Sequence, residues 1–124
     1  MPKVTVFFTL DSTIEKQQFC GVGIWKDNTL LFQDKQKQYH RVEIQSQCIR
    51  YTKRGASKLD FSFEENHHHM GYYTIADIKM VFDVITTRLR IDEGLIEVIY
   101  QLKQEDKVVN DVSLKIEFSQ VKEG

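Results

Sequence analysis

From Val112 to Ser119 the chain alternates without interruption: Val112, Leu114, Ile116 and Phe118 are apolar, while Ser113, Lys115, Glu117 and Ser119 are polar. Successive side chains of an extended strand point to opposite faces, so this beat describes a strand with one wet face and one dry face. The beat recurs along most of the chain. Val4, Val6, Phe8 and Leu10 share one phase, as do His40, Val42 and Ile44, then Leu59, Phe61 and Phe63, then Ile96, Val98, Tyr100 and Leu102. Phe19 to Trp25 and Thr29 to Phe32 read as two further strands around an Asp27-Asn28 turn, with Gly21 and Gly23 marking a bend or a close backbone approach. Other turn signals are Arg54-Gly55-Ala56-Ser57, Asp92-Glu93-Gly94 and Gln104-Glu105-Asp106-Lys107. Turns recurring about every 8–12 residues indicate an antiparallel sandwich or barrel.

The 124 residues suit one domain, 1–124, without linker or repeat. A chain of this size buries roughly two-thirds of its unfolded surface, enough for a core without staples. Charged residues at 28% and apolar residues at 41% describe a soluble globular chain. No apolar run approaches the roughly 20 residues of a membrane helix. The start, Met1-Pro2-Lys3-Val4-Thr5-Val6, lacks the apolar stretch and cleavage site of a signal peptide. Cys20 and Cys48 form no CxxC pair and read as small, half-buried, reduced residues. The expected location is the cytoplasm.

One stretch supports two readings. Ile75, Ile78, Phe82, Ile85 and Leu89 fall at helical spacing, and Thr74 with Asp77 suits a capping box. Ile78, Met80, Phe82 and Val84 equally alternate as a strand, and the β-branched load favours one. The sequence therefore allows at most one helix, near residues 74–90.

Several segments together resemble the YwiB-like proteins, small bacterial proteins of unknown function. They are Ile49-Arg50-Tyr51-Thr52-Lys53-Arg54-Gly55-Ala56-Ser57-Lys58, then Phe63, Tyr73, Thr86 and Thr87, and finally Gly94-Leu95-Ile96-Glu97-Val98-Ile99-Tyr100. The resemblance implies an all-β fold: a single antiparallel calycin-like (lipocalin-like) β-barrel of about eight or more strands. It implies no activity. Where family members carry a Thr-Pro-aromatic-Gly turn, this chain has Thr74-Ile75-Ala76-Asp77.

Each candidate site has a simpler alternative. His67-His68-His69 places His67 and His69 on one side of an extended segment, about 7 Å apart, a spacing that seats two imidazoles on zinc or nickel. His40, Glu64, Glu65 or Asp77 would have to complete the shell, and a solvated loop is the simpler account. The bases Lys35, Lys37, Arg41, Arg50, Lys53, Arg54 and Lys58, with Tyr39 and Tyr51 between them, suggest a single-strand nucleic-acid groove. Alternation sends neighbouring bases to opposite faces, and the net charge of −1 argues against such a partner. Arg54 and Gly55 are expected to be structural, at a turn. No GxSxG, P-loop or HExxH is present.

The expectation is a non-enzymatic barrel without cofactor. Its interior aromatics Trp25, Phe61, Phe63, Tyr73, Phe82 and Tyr100 would either hold a small apolar or amphipathic ligand or simply fill the barrel. The competing expectation is a protein-interaction or scaffolding module that uses a strand edge or a homodimer face.

Overall fold

The computed structural model describes residues 3–121, so the Met1-Pro2 start read above lies outside the described residues. Ten strands follow in chain order: β1 (Lys3–Ser12), β2 (Lys16–Lys26), β3 (Thr29–Gln33), β4 (Tyr39–Gln45), β5 (Cys48–Arg54), β6 (Ser57–Glu64), β7 (His68–Ile75), β8 (Ile78–Asp92), β9 (Leu95–Gln104) and β10 (Lys107–Gln120). Each strand pairs antiparallel with the next. β10 then pairs back onto β1, from Val4 opposite Gln120 to Ser12 opposite Val112, and the sheet closes into a barrel. Ten strands meet the expectation of eight or more. No helix occurs among the described residues, and hence none long and apolar enough to cross a membrane.

The alternation fixes the register. A slip of one residue would turn each dry face outward, so the inward phase of every strand is locked by burial. That phase supplies the core: Val4, Val6 and Phe8 from β1; Leu30 and Phe32 from β3; Ile96, Val98, Tyr100 and Leu102 from β9; Val112, Leu114 and Ile116 from β10.

Residues 74–90 are strand, turn and strand. β7 ends at Ile75, and Ala76-Asp77 turns with φ of 49° and 64° before β8 begins. Two consecutive residues with positive φ form the hairpin turn whose twist matches its strands. Thr74 and Asp77 therefore do not cap a helix. The five residues at helical spacing do not share one face: Ile75 and Ile78 pair across the turn, and Ile85 takes the outward phase of β8, opposite His68 and Gln101. Register shifts between Thr86 and Arg88, so Thr87 is a bulge and the inward phase passes from Phe82, Val84 and Thr86 to Leu89 and Ile91. The bulge is why Phe82 and Leu89, an odd number of residues apart, still share the dry face.

The barrel has two ends. The 27–28, 46–47, 65–67 and 93–94 turns share one with the start of β1 and the end of β10. The 13–15, 34–38, 55–56, 76–77 and 105–106 turns form the other, called the hairpin end below. Pairing between β6 and β7 is short, from Ser57 opposite Ile75 to Asp60 opposite Tyr72. Beyond it the Phe61 ring lies against Gly71, where a Cβ would come within 2.5 Å of Phe61 Cδ1 and 2.6 Å of Val84 Cγ2.

Candidate functional site

At the hairpin end a buried polar chain runs Asp34–His40–Tyr51. Asp34 lies in the turn after β3, and its Oδ1 accepts the backbone N–H groups of Gln36 (2.9 Å) and Gln38 (3.0 Å). Its Oδ2 lies 2.8 Å from His40 Nε2, and His40 Nδ1 lies 2.7 Å from Tyr51 Oη. His40 faces inward because it shares the phase of Val42, and its ring stacks on Phe32 at 4.5 Å. Phe19 continues the stack beyond Phe32, and Tyr51 continues it beyond His40.

Burial and hydrogen bonding together set the protonation states. Burial pushes the Asp34 carboxyl up, but the bonds from His40 and the turn N–H groups outweigh it and hold the pKa below its ordinary 3.8. Burial also dominates at His40, where it outweighs the pull of Asp34 and, with help from Lys53, lowers the imidazole below 6.5. Burial, with smaller contributions from Tyr100 and Asp34, raises the Tyr51 hydroxyl well above 10. An ionised carboxylate only accepts, so Nε2–H donates to Asp34, and neutral Nδ1 accepts the Tyr51 O–H. Both imidazole nitrogens are thereby committed to protein groups. A solvent-open hollow of about 390 Å³ lies above this chain, lined by Phe8, Phe19, Asp34, Gln38 and His40 among others.

The second feature lies outside the barrel. Outward positions of β2, β3 and β4 carry Val22, Ile24, Leu31 and Tyr39, which are 36–62% exposed. They line a groove of about 610 Å³ together with Lys3, Arg41, Thr52 and Arg54. Register explains the grouping. Lys3 pairs with Ile24, Ile24 with Leu31 and Leu31 with Arg41, so these side chains form one row across four strands. Tyr39 pairs with Arg54 in the next row. Gly23 faces inward between Val22 and Ile24 and has no room for a side chain: a Cβ would come within 2.6 Å of Leu31 O and 3.0 Å of Val6 Cγ2. A neighbouring hollow of about 430 Å³ shares Arg41, Thr52 and Arg54 and continues over Arg50, Lys58, Asp60 and Tyr72.

The residues singled out from the sequence do not line one pocket. Phe61, Phe63, Phe82 and Tyr100 pack on one another, with Phe63 and Tyr100 centroids 4.6 Å apart and Phe61 edge-on to Phe63, Phe82 and Tyr100. None of these four lines any of the hollows described here. Trp25 and Tyr73 sit at opposite ends of the barrel. Trp25 lies 4.8 Å from Phe118, and the Tyr73 ring lies beneath Lys53 Nζ at 5.9 Å.

Arg54 points outward, and Gly55 packs on Gln38, where a Cβ would meet Cγ at 2.8 Å. His67 stays in the turn, with Nδ1 2.9 Å from Glu65 O, whereas His68 and His69 already belong to β7. His69 Nε2 lies 3.3 Å from Glu64, and no group of three or more potential metal ligands converges among the described residues. Of the basic run, Lys53 faces inward beside His40 while Arg41, Arg50, Arg54 and Lys58 share the outer wall.

These features define a small, closed, up-and-down β-barrel with a packed interior and an apolar, cation-edged groove on its wall. The chain belongs to the family described as "Domain of unknown function (DUF1934)", which matches residues 10–116. The fold is similar to the crystal structure of the ywiB protein from Bacillus subtilis, with a TM-score of 0.75 and 14% identity over 98% of this chain and 93% of that one. The resemblance read from Ile49–Lys58 and Gly94–Tyr100 therefore holds at the level of family and fold. No curated protein matches the chain.

Proposed function

We propose that this protein is a non-enzymatic, cytoplasmic binding barrel of calycin-like build whose small amphipathic ligand sits on the outer wall, in the groove over β2–β5, and not in the interior. The observation that carries this reading is the groove itself. Its volume of about 610 Å³ falls in the usual range for small-molecule sites of about 300–1,000 Å³. Its floor is apolar where a solvated strand face would be polar. The packed quartet Phe61, Phe63, Phe82 and Tyr100 supports moving the ligand out of the interior. The non-enzymatic part draws support from His40, the buried histidine beside the hollow, whose two nitrogens are both engaged by Asp34 and Tyr51.

The test is binding of an environment-sensitive apolar dye to the native protein and to Leu31→Glu. The reading expects binding that Leu31→Glu abolishes while the fold, followed by circular dichroism, is kept. Equal binding by the two proteins, or retention of a ligand that protects Phe63 and Tyr100 in native mass spectrometry and exchange experiments, refutes it.

Self-association through the same wall is the second reading, favoured by Phe7, which lies outward on β1 at 52% exposure opposite the exposed Cys20. A strand-edge interaction draws less support, because β10 closes on β1. Sedimentation velocity of the native chain and Leu31→Glu separates the two: a dimer lost in the variant supports the dimer face, and a monomer in both removes it.

A further inference from the structure

We propose that the wall groove selects an anionic amphiphile, a free single-chain molecule whose carboxylate or phosphate head is held by Arg54 and Lys58 while its tail lies over Leu31 and Ile24. This deepens the outer-wall reading and rests on it.

Charge on this wall is unevenly compensated. The two adjoining hollows share Arg41, Thr52 and Arg54, one being mostly apolar and the other polar. Two of the arginines on this wall are already neutralised. Arg41 Nε lies 2.6 Å from Glu43, and Arg50 holds Asp60 through Nε at 3.2 Å and an Nη at 2.9 Å. Arg54 and Lys58 have no ion pair among the described residues.

Their relation is set by register. Lys53 pairs with Leu59, so the next outward position of β5, Arg54, stands opposite Lys58 of β6. Like charges directly opposite on adjacent strands are destabilising. Two such cations without a counter-ion, side by side at the end of an apolar trough, form a site that an anion relieves. A guanidinium and an ammonium together suit an oxyanion head, the first by its planar fork and the second as a point charge.

Geometry supplies the tail. Three inter-strand steps separate β2 from β5, about 14 Å at the usual strand spacing. Ile24 and Leu31 occupy the β2 and β3 positions of that path, and Tyr39 on β4 stands beside Arg54. The apolar groove itself is lined by no acidic residue, and Glu43 and Asp60, the two acids of the adjoining hollow that holds Lys58, are paired with Arg41 and Arg50. A molecule crossing the strands therefore meets apolar surface first and uncompensated positive charge at the β5–β6 edge.

The test is calorimetric titration of the whole chain with four amphiphiles of one tail length, each below its critical micelle concentration: dodecanoate, dodecyl phosphate, dodecyl maltoside and dodecyltrimethylammonium. The expected result is that an anionic head binds at least tenfold tighter than the neutral and cationic ones. The tighter of the two anions identifies the head, and either order supports the site. Arg54→Gln with Lys58→Gln is expected to remove that tenfold preference and leave dodecyl maltoside affinity within twofold of the native value. Both residues are on the surface, and unchanged circular dichroism verifies the fold. Equal affinity for all four heads, with binding still lost in Leu31→Glu, overturns the head-group assignment and leaves the outer-wall reading intact. Absence of binding to every amphiphile overturns both. Binding to anionic vesicles without binding to any monomeric amphiphile overturns the free-molecule assignment.

Discussion

Replacing Tyr51 by Phe isolates what the buried polar chain contributes. The ring stays and only the hydroxyl goes, from a side chain 2% exposed. His40 Nδ1, on a side chain 3% exposed, then has no donor. An orphaned buried acceptor costs about 1–3 kcal/mol. At about 2.1 cal/mol/K per residue, unfolding of a chain this long carries roughly 0.26 kcal/mol/K, so the melting temperature falls by about 4–12 °C. His40→Phe orphans the Tyr51 hydroxyl instead and costs a similar amount, while Asp34 keeps its bonds from Gln36 and Gln38. In the double variant neither group is left unpaired, because two phenyl rings then meet, apolar against apolar. Its loss is therefore smaller than the sum of the two single losses.

The same variants carry a pH signature. His40 is held below its ordinary 6.5 in the fold, so below 6.5 the unfolded chain binds the proton first. Stability from this residue is fully present above pH 6.5 and is lost as pH falls through the folded value. His40→Phe removes that share of the acid sensitivity. Asp34, held below 3.8, adds a separate loss only in stronger acid, as pH falls through its own folded value. Denaturant unfolding at a series of pH values from 8 to 4 follows the His40 share, and extending the series into stronger acid follows that of Asp34. Strictly additive single and double variants, or identical pH slopes below 6.5 with and without His40, would refute the assigned network.

Three further substitutions test the packing and one addition tests the histidines. Gly71→Ala forces a methyl into Phe61 and Val84 and is expected to cost about 1–3 kcal/mol, read as a lower denaturant midpoint at unchanged slope. Phe63→Ala empties a fully buried site beside Tyr100 and is expected to cost about 3–5 kcal/mol. Thr86→Val replaces the one buried side-chain polar atom without a partner among the described residues by a methyl, and is expected to stabilise by on the order of 1 kcal/mol in thermal unfolding. Excess zinc is expected to leave the melting temperature unmoved, because His67 and His69 are engaged by Glu65 and Glu64 and no third ligand converges among the described residues.

The sequence carried the barrel because β9 and β10 obey a period of two and because turn residues mark most strand ends. Residues 74–90 are ambiguous because apolar residues occupy both phases of β8, Ile85 outward and Phe82 and Val84 inward, and because the Thr87 bulge brings Leu89 into the inward phase, so apolar residues fall at three-and-four spacing without sharing one face. The polar chain was half legible. His40 stood on the dry face of an alternating strand with Val42 and Ile44, where a histidine needs partners. Its partners were not legible, because Asp34 comes from a turn and Tyr51 from the next strand, and only closure of β3–β4–β5 brings them within bonding distance. The three consecutive histidines drew attention by their number, yet the chain direction changes within them, leaving His67 in a turn and the others on β7.

The groove is the instructive case, because its signal was present in the alternation and runs against it. β10 is apolar in one phase only from Val112 onward, and its outer face there is Ser113, Lys115, Glu117 and Ser119. In β1 and β3 the apolar residues occupy both phases: Phe7 beside Phe8, and Leu31 between Leu30 and Phe32. One phase is enough to fill a closed barrel, so the second makes no contribution to the core. Exposed apolar side chains are ordinary when scattered. Val22, Ile24, Leu31 and Tyr39 are brought into neighbouring register positions on three consecutive strands, and this contiguous apolar patch on a sheet that is already closed is the feature on which the proposed outer-wall site rests. In a packed barrel the wall is the place where a residue can be both rigidly positioned and accessible. The strands beneath Leu31 and Arg54 are held by hydrogen bonds on both sides, which fixes the spacing of an apolar floor and a cationic edge without a lid or a loop to order them.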